Sequence, residues 1–371
     1  MNDLASGRPA LPRHPREITA EWLTAALRHS GLDVGVRVIQ RMPIGEGAGL
    51  MATTERVEVD YEHGEGPAVV ILKRPSDNEG NRAVANAFHL YQREVLFYMG
   101  AAHRSAAYTA KVHYADIDGD DFILLLEDLS AYDLGDQAEG CSAEDAMAGM
   151  VWLGRHHATF WGNVDDGSLD FLPHVSPSYS SEAIMQGAAF GWDPMVQIFG
   201  DVLPVPIKEL KERYLAALPR ILDAMAKRPI TVVHGDFRLD NLFFGRSEGQ
   251  EPLIAIDWQG ALRGRPAQDL GYFMGGNLPI EVRRAHEREL IERWHGELVA
   301  NGVTGYTLDD AWYEYRLGVL YVWNLAVIIS GTLDMSNDRA RRWISEMLRR
   351  SVAAMEDLDL LDLLSEIEAQ Q

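Results

Sequence analysis

One stretch constrains this chain more than any other: Val233-His234-Gly235-Asp236-Phe237-Arg238-Leu239-Asp240-Asn241, with an echo at Ile256-Asp257-Trp258-Gln259. In each half a run of apolar residues leads into one acid. Ile230, Val232 and Val233 precede Asp236, and Leu253, Ile254 and Ile256 precede Asp257. Short apolar runs bounded by turn residues read as buried strands, and a strand end or tight loop holds the acid that follows at a fixed place. Between the two acids, Leu242-Phe243-Phe244, a polar turn over 246–251 and the run 253–256 predict a β-hairpin.

Fixed acids at this spacing suit phosphoryl transfer, a reaction that asks little covalent chemistry of the protein. It needs a group to position or deprotonate the attacking hydroxyl, and oxygen ligands for a Mg2+ that bridges nucleotide phosphates. Asp236 is the candidate base, and Asn241 and Asp257 are the candidate metal ligands. A single Asp in a loop is most often a cap or turn former, so the inference rests on the joint pattern of His, Gly, Asp, Asn and the following Ile-Asp-Trp.

The totals set the frame. A chain of 371 residues accommodates two domains or one bilobal unit, and 47% hydrophobic with 24% charged residues is ordinary globular usage. The formal net charge of −22 argues against nucleic acid or an anionic membrane surface as a main partner, since both call for a basic face. It is compatible with a cationic substrate, but solubility explains it as well. One cysteine, Cys141, leaves no internal disulfide framework and fits a reducing compartment. The first residues lack the apolar core of a signal peptide, and the apolar stretch 317–330 is too short to span a bilayer. A cytoplasmic location is expected.

Along the chain, 18–29 predicts an amphipathic helix with Thr19 as N-cap, and 34–42 predicts a strand. Gly45, Gly47 and Gly49 then form a glycine-rich turn ahead of an alternating strand over 54–61. Without a Cβ, such a turn can lay backbone amides over phosphates, although a plain hairpin turn has the same composition. The apolar strand 68–73 ends in Lys73, and a helix over 83–98 carries Glu94. Strands are expected over 110–115 and 121–126, with the chain leaving the sheet near Glu127.

Ser142 opens a helix that runs to Trp161. His156 and His157 on it diverge by about 100° and do not converge on one metal ion, so packed or hydrogen-bonded histidines are expected. The stretch 163–204 reads as irregular and as part of an acceptor pocket or a packed surface excursion. A helix over 207–227 should be kinked or split at Pro219. Asp269 opens a further helix, and the remainder is helical.

These pieces together resemble the ecdysteroid-kinase-like, or CHK-kinase-like, group within the aminoglycoside-phosphotransferase clan of protein-kinase-like folds. The resemblance rests on Ile18-Thr19-Ala20-Glu21-Trp22-Leu23, Leu126-Glu127-Asp128-Leu129, Leu153-Gly154-Arg155-His156-His157-Ala158, the run 234–241, and Ile256 to Gln259 with Asp269-Leu270. It implies an α+β bilobal fold: a small antiparallel β-sheet lobe with a helix over 1–127, and a larger, mostly helical lobe over 128–371. It also implies ATP-dependent phosphorylation of a small-molecule hydroxyl with Mg2+. By position, Asp236 takes the base role, Asn241 and Asp257 the metal, and Lys73 with Glu94 the phosphate clamp. Gly45, Gly47 and Gly49 take the nucleotide turn, Glu127 and Leu129 the hinge beside the adenine, and His234 and Asp269 the support of the loop.

The turn G-x-G-x-G departs from the kinase G-x-G-x-x-G. The run 234–241 is also close to the kinase-like domains that accompany acyl-CoA dehydrogenases. The acceptor therefore stays open among sterol-like alcohols, hydroxyacyl-CoA, amino alcohols and aminoglycosides, as do ATP against GTP and the oligomeric state. Two other classes compete. A pseudokinase-like metabolite-binding module would keep the fold without turnover, yet every catalytic position that can be placed is intact. A metal-dependent phosphoesterase would need several converging His and Asp ligands, and after Asp257 only His286 and His295 remain.

Overall fold

The computed structural model describes residues 8–44, 51–175, 181–332 and 338–369. Gly45, Gly47 and Gly49 lie outside the described residues. The chain divides into two compact units. The first comprises Met1–His103, Thr109–Tyr132 and Trp258–Gly260, and the second comprises Arg104–Tyr108, Asp133–Asp257 and Ala261–Gln371.

The first unit is built on five antiparallel strands: β1 (Gly35–Ile44), β2 (Ala52–His63), β3 (Val69–Pro75), β4 (Val112–Asp118) and β5 (Asp121–Glu127), in the order β1-β2-β3-β5-β4. The amphipathic helix α1 (Ala20–His29) begins where Thr19 Oγ1 accepts the Trp22 N–H at 3.2 Å, the capping that the sequence predicts. Its Leu23, Ala26 and Leu27 enter a core with Val57, Val70, Leu72, Ile123 and Leu125. The helix expected over 83–98 is two helices, α2 (Glu79–Ala87) and α3 (Leu90–Gly100). The break falls at His89, which adopts a left-handed φ of 55° and so cannot continue the first helix.

In the second unit the expected hairpin is present. Strand β6 (Asp133–Leu134) pairs with β8 (Leu242–Phe244), which pairs with β9 (Leu253–Ala255), while β7 (Thr231–Val233) pairs with β10 (Leu262–Gly264). Around them lie α4 (Ala143–Phe160), α5 (Ser181–Phe199), α6 (Val205–Lys208), α7 (Lys211–Met225), α8 (Ala267–Gly276), α9 (Ile280–Ala300), α10 (Leu308–Thr332), α11 (Asp338–Asp357) and α12 (Leu360–Ala369). No helix among the described residues is long and apolar enough to cross a membrane.

Two sequence readings are corrected here. The stretch expected to be irregular carries the 19-residue helix α5, because its glycines serve packing rather than chain reversal. A Cβ on Gly191 would stand 2.7 Å from the Val327 carbonyl oxygen, so glycine is what lets α5 approach α10. The helix expected over 207–227, kinked or split at Pro219, is instead α6 and α7, and the break falls at 209–210 rather than at Pro219. α7 runs through it, with Tyr214, Leu218, Ile221, Leu222 and Met225 buried on either side, so burial of the apolar face outweighs the one lost backbone bond.

The crossing of α8 and α10 fixes the part of the unit that matters most below. Gly271 lies so close to the Gly318 backbone, and Gly318 to the Ala267 carbonyl, that a Cβ on either would collide with main chain. Gly271→Ala is expected to cost about 1–3 kcal/mol, the usual range for overpacking a tight core. A melting curve that matches wild type would contradict this crossing.

Candidate active site

Two groups of predicted residues come together, one in each unit. In the first unit the apolar strand β3 buries Val70 and Leu72, and Lys73 follows within the strand, which runs on to Pro75. On α3, Glu94 is 1% exposed. Lys73 Nζ lies 2.8 Å from Glu94 Oε1 and 2.7 Å from Oε2. Removing both charges from water is costly, and close contact with further hydrogen bonds is what offsets that cost. Gln259 supplies one, donating from Nε2 to Glu94 Oε2 at 3.2 Å. Its neighbour Trp258 stacks on Phe97 of α3 with ring centroids 3.6 Å apart. Glu127 closes β5, and its carboxylate accepts the Lys111 N–H at 2.6 Å, while Leu129 is buried.

The second unit holds the loop after β7. Strand β7 is fully buried, so the turn that follows leaves the core at a defined point. Gly235 takes φ of 81°, a left-handed conformation that residues with a Cβ rarely adopt. Asp269, in the first turn of α8 and fully buried, receives the loop. Its Oδ2 accepts the His234 N–H and its Oδ1 the Gly235 N–H, each at 2.8 Å.

His157 on α4 completes the support. Its Nδ1 accepts the Trp294 indole N–H at 3.2 Å, so the ring proton sits on Nε2, which donates to Asp269 Oδ2 at 3.1 Å. His156, beside it and fully buried, lies 3.0 Å from the Ser105 hydroxyl, and burial pushes its pKa well below the usual range. His234 is fixed likewise. Its Nδ1 accepts the Asp236 N–H at 3.3 Å, and its Nε2 donates to the Ile256 carbonyl at 2.9 Å.

Asp236 and Asn241 meet in this loop, and the residue before Asp257 is bonded to Asn241. Asn241 Nδ2 donates to the Asp236 carbonyl at 2.9 Å and to its Oδ2 at 3.0 Å. The Asn241 carbonyl in turn accepts the Ile256 N–H at 3.0 Å, which brings the residue before Asp257 against Asn241. Asp257 itself sits at φ of 66°, and a non-glycine residue held there stores on the order of 1 kcal/mol of strain.

Arg238 was read in the sequence only as part of the motif, as was Gln259; both belong to the sites. The Arg238 guanidinium lies 3.3 Å from Asp236 Oδ2 and 3.6 Å from Asp240 Oδ2. Burial disfavours its charge, but Asp236 foremost, with Tyr272, Asp240 and Asp257, outweighs that and raises its pKa. Tyr272 lies against Asp236, and burial raises its pKa as well. Arg238 stands two residues past Asp236, the one sequence signal that could have singled it out.

The donor set fits Mg2+. With Asn241 Nδ2 turned to Asp236, the amide oxygen is the end that would coordinate, and Asp257 would add a carboxylate. Both are hard oxygen donors, and Mg2+ characteristically takes few protein ligands while keeping waters and phosphate oxygens. No group of three or more His, Cys, Asp or Glu that could hold a metal occurs among the described residues, so the set does not suit a closed protein cage.

The profile of the ecdysteroid kinase-like family matches residues 46–303. Acyl-CoA dehydrogenase family member 10 of Mus musculus is 33% identical over 98 residues, covering 22% of this chain and 9% of that protein. Among solved structures, a candidate aminoglycoside phosphotransferase from Ralstonia eutropha JMP134 aligns with a TM-score of 0.54 at 15% identity, over 90% of this chain and 97% of its own. A point mutant of an aminoglycoside 2′-phosphotransferase, solved with GDP, aligns with a TM-score of 0.52 at 13% identity, over 91% and 93%. These likenesses show the protein-kinase-like fold.

Two predictions follow from the geometry. Lys73→Met alone leaves a buried carboxylate without its cation and should cost about 3–5 kcal/mol, whereas Lys73→Met with Glu94→Leu should recover most of that stability. Nucleotide binding should stay lost in both, so paired melting and binding curves separate the structural and functional parts of the pair. Asp257→Gly should melt at or above the wild-type temperature, because glycine relieves the left-handed strain, yet lose the Mg2+ dependence of nucleotide binding. A lower melting temperature with Mg2+ dependence intact would contradict the role given to Asp257.

Proposed function

We propose that this chain, which belongs to the ecdysteroid kinase-like family, transfers the γ-phosphoryl group of ATP to a hydroxyl of a small molecule. The observation that carries the reading is the pair of bonds by which the Asn241 amide holds Asp236 and the Asn241 carbonyl holds Ile256, the residue before Asp257. Residues 1–127 take the nucleotide-binding role, with Lys73 and Glu94 as the phosphate clamp. Residues 128–371 take the catalytic and acceptor-binding role.

Asp236 is a third exposed, so an acceptor can reach it, while Asn241 and Arg238 hold its Oδ2 in place. An acceptor hydroxyl beside this carboxylate is oriented for attack on the γ-phosphorus. As the new P–O bond forms, the bond to the bridging oxygen breaks, ADP leaves with the electron pair, and the hydroxyl proton passes to the Asp236 carboxylate. Asn241 and Asp257 would hold Mg2+, which when bound would neutralise charge that grows on the phosphate oxygens. Arg238, 3.3 Å from Asp236 Oδ2, compensates the same charge from the protein side.

The bound GDP of the aminoglycoside phosphotransferase structure supports a purine nucleotide, and ATP and GTP are the two to compare. The acceptor class is a small hydroxylated metabolite or xenobiotic, with hydroxyacyl thioesters, sterol-like alcohols, amino alcohols and aminoglycosides as the panel to screen. Asp236→Asn should abolish acceptor-dependent ADP release, a loss of at least about 10³-fold, on the scale of losing a catalytic base. ATP should still bind with near wild-type affinity. Turnover of Asp236→Asn at the wild-type rate would remove the central residue of this reading.

A further inference from the structure

A single arginine lies behind the catalytic loop. Arg350, on α11, is 2% exposed. Its contact with Glu346 is long, 3.9 Å. Its close partners are instead neutral main-chain oxygens. Nη1 donates to the Gln137 carbonyl at 2.6 Å and the Asn277 carbonyl at 3.1 Å, and Nη2 donates to the Ala138 carbonyl at 2.9 Å. A Cβ at Gly140 would stand 3.2 Å from Nη2, so that segment is fitted closely to the guanidinium. Burying a charge mainly against main-chain dipoles, with its nearest carboxylate 3.9 Å away, is expensive.

Two of these three anchors, Gln137 and Asn277, lead on to the loop. The Gln137 N–H donates to Asp240 Oδ1 at 3.0 Å. Asn277 Oδ1 accepts the Leu239 N–H at 3.0 Å, and its Nδ2 donates to the Tyr272 carbonyl at 2.8 Å. Leu239 and Asp240 are the two residues immediately before Asn241. They are therefore held from two separate segments, 137–138 and the end of α8, and one guanidinium ties those segments together. Arg350 falls outside the family match, which ends at residue 303.

We propose that Arg350 is a positioning residue for the Mg2+–nucleotide site, setting the register in which the loop presents the Asn241 amide oxygen. This rests on the role for Asn241 given under Proposed function. Mg2+ tolerates little departure from octahedral geometry. A small displacement of Asn241 should therefore weaken metal-assisted binding before it unfolds the loop.

The test is calorimetric titration of ATP, with and without Mg2+, into wild type, Arg350→Met, Arg350→Lys and Asn241→Ala. The readout is the ratio of the two affinities, which a merely structural role would not move. In Arg350→Met the Mg2+ enhancement should fall on the order of tenfold, as for loss of an outer partner of a metal ligand. Affinity for Mg2+-free ATP should be unchanged, and Arg350→Lys, which keeps donors for the carbonyls, should restore most of the ratio. Should Arg350→Met yield no folded protein, Asn277→Ala removes the Leu239 acceptor and is read the same way. A wild-type ratio in Arg350→Met, or in Asn277→Ala where that stands in for it, with a collapsed ratio in Asn241→Ala overturns the role of Arg350 alone. A wild-type ratio in Asn241→Ala overturns the metal role of Asn241, and the positioning role falls with it.

Discussion

Everything in the loop after β7 depends on one buried carboxylate. Asp269 takes the two successive N–H groups of His234 and Gly235, and the turn after β7 can leave the core only where those bonds allow. Buried N–H groups without acceptors are costly, and an ionised acceptor makes stronger bonds than a neutral one. The carboxylate is itself fixed by His157, whose proton is directed to it by the Trp294 indole. The helix that carries it is set by the glycine contact between α8 and α10. The chain of causes runs from a helix crossing to a carboxylate, from the carboxylate to a loop, and from the loop to Asp236.

The loop also stores strain where its chemistry is placed. Gly235 and Asp257 both adopt left-handed backbone conformations, one beside the candidate base and one at a candidate metal ligand. Glycine takes that conformation at little steric cost and aspartate at a modest one, which accounts for a glycine between His234 and Asp236. Arg238 adds the electrostatic part. It sets a cation 3.3 Å from Asp236 Oδ2, and together with the Asn241 amide it fixes the orientation of that carboxylate.

Much of this was legible in the sequence, because the strongest signals are local. Alternating and apolar runs with turn residues between them gave five strands in their correct order along the chain, the hairpin of β8 and β9, and the Thr19 cap. The family's fold and the pairing of Lys73 with Glu94 followed from the family resemblance, which the order of the motifs along the chain supported. Other features were hidden because they depend on what a residue meets in three dimensions. The glycines near Gly191 look like helix breakers until the approach of α10 is known. The turn at His89 has no proline or glycine to announce it. Arg350 and Asn277 are remote in sequence from the loop that they hold, and no spacing rule connects them to Asn241.

The central claim is that this site moves a phosphoryl group from a nucleotide to a hydroxyl. It is tested most directly by 31P NMR of the wild-type protein with ATP, Mg2+ and the acceptor panel. The account predicts that, for at least one acceptor, a phosphomonoester resonance grows in step with ADP. Formation of inorganic phosphate alone, or ATP left unchanged across the whole panel, would contradict it.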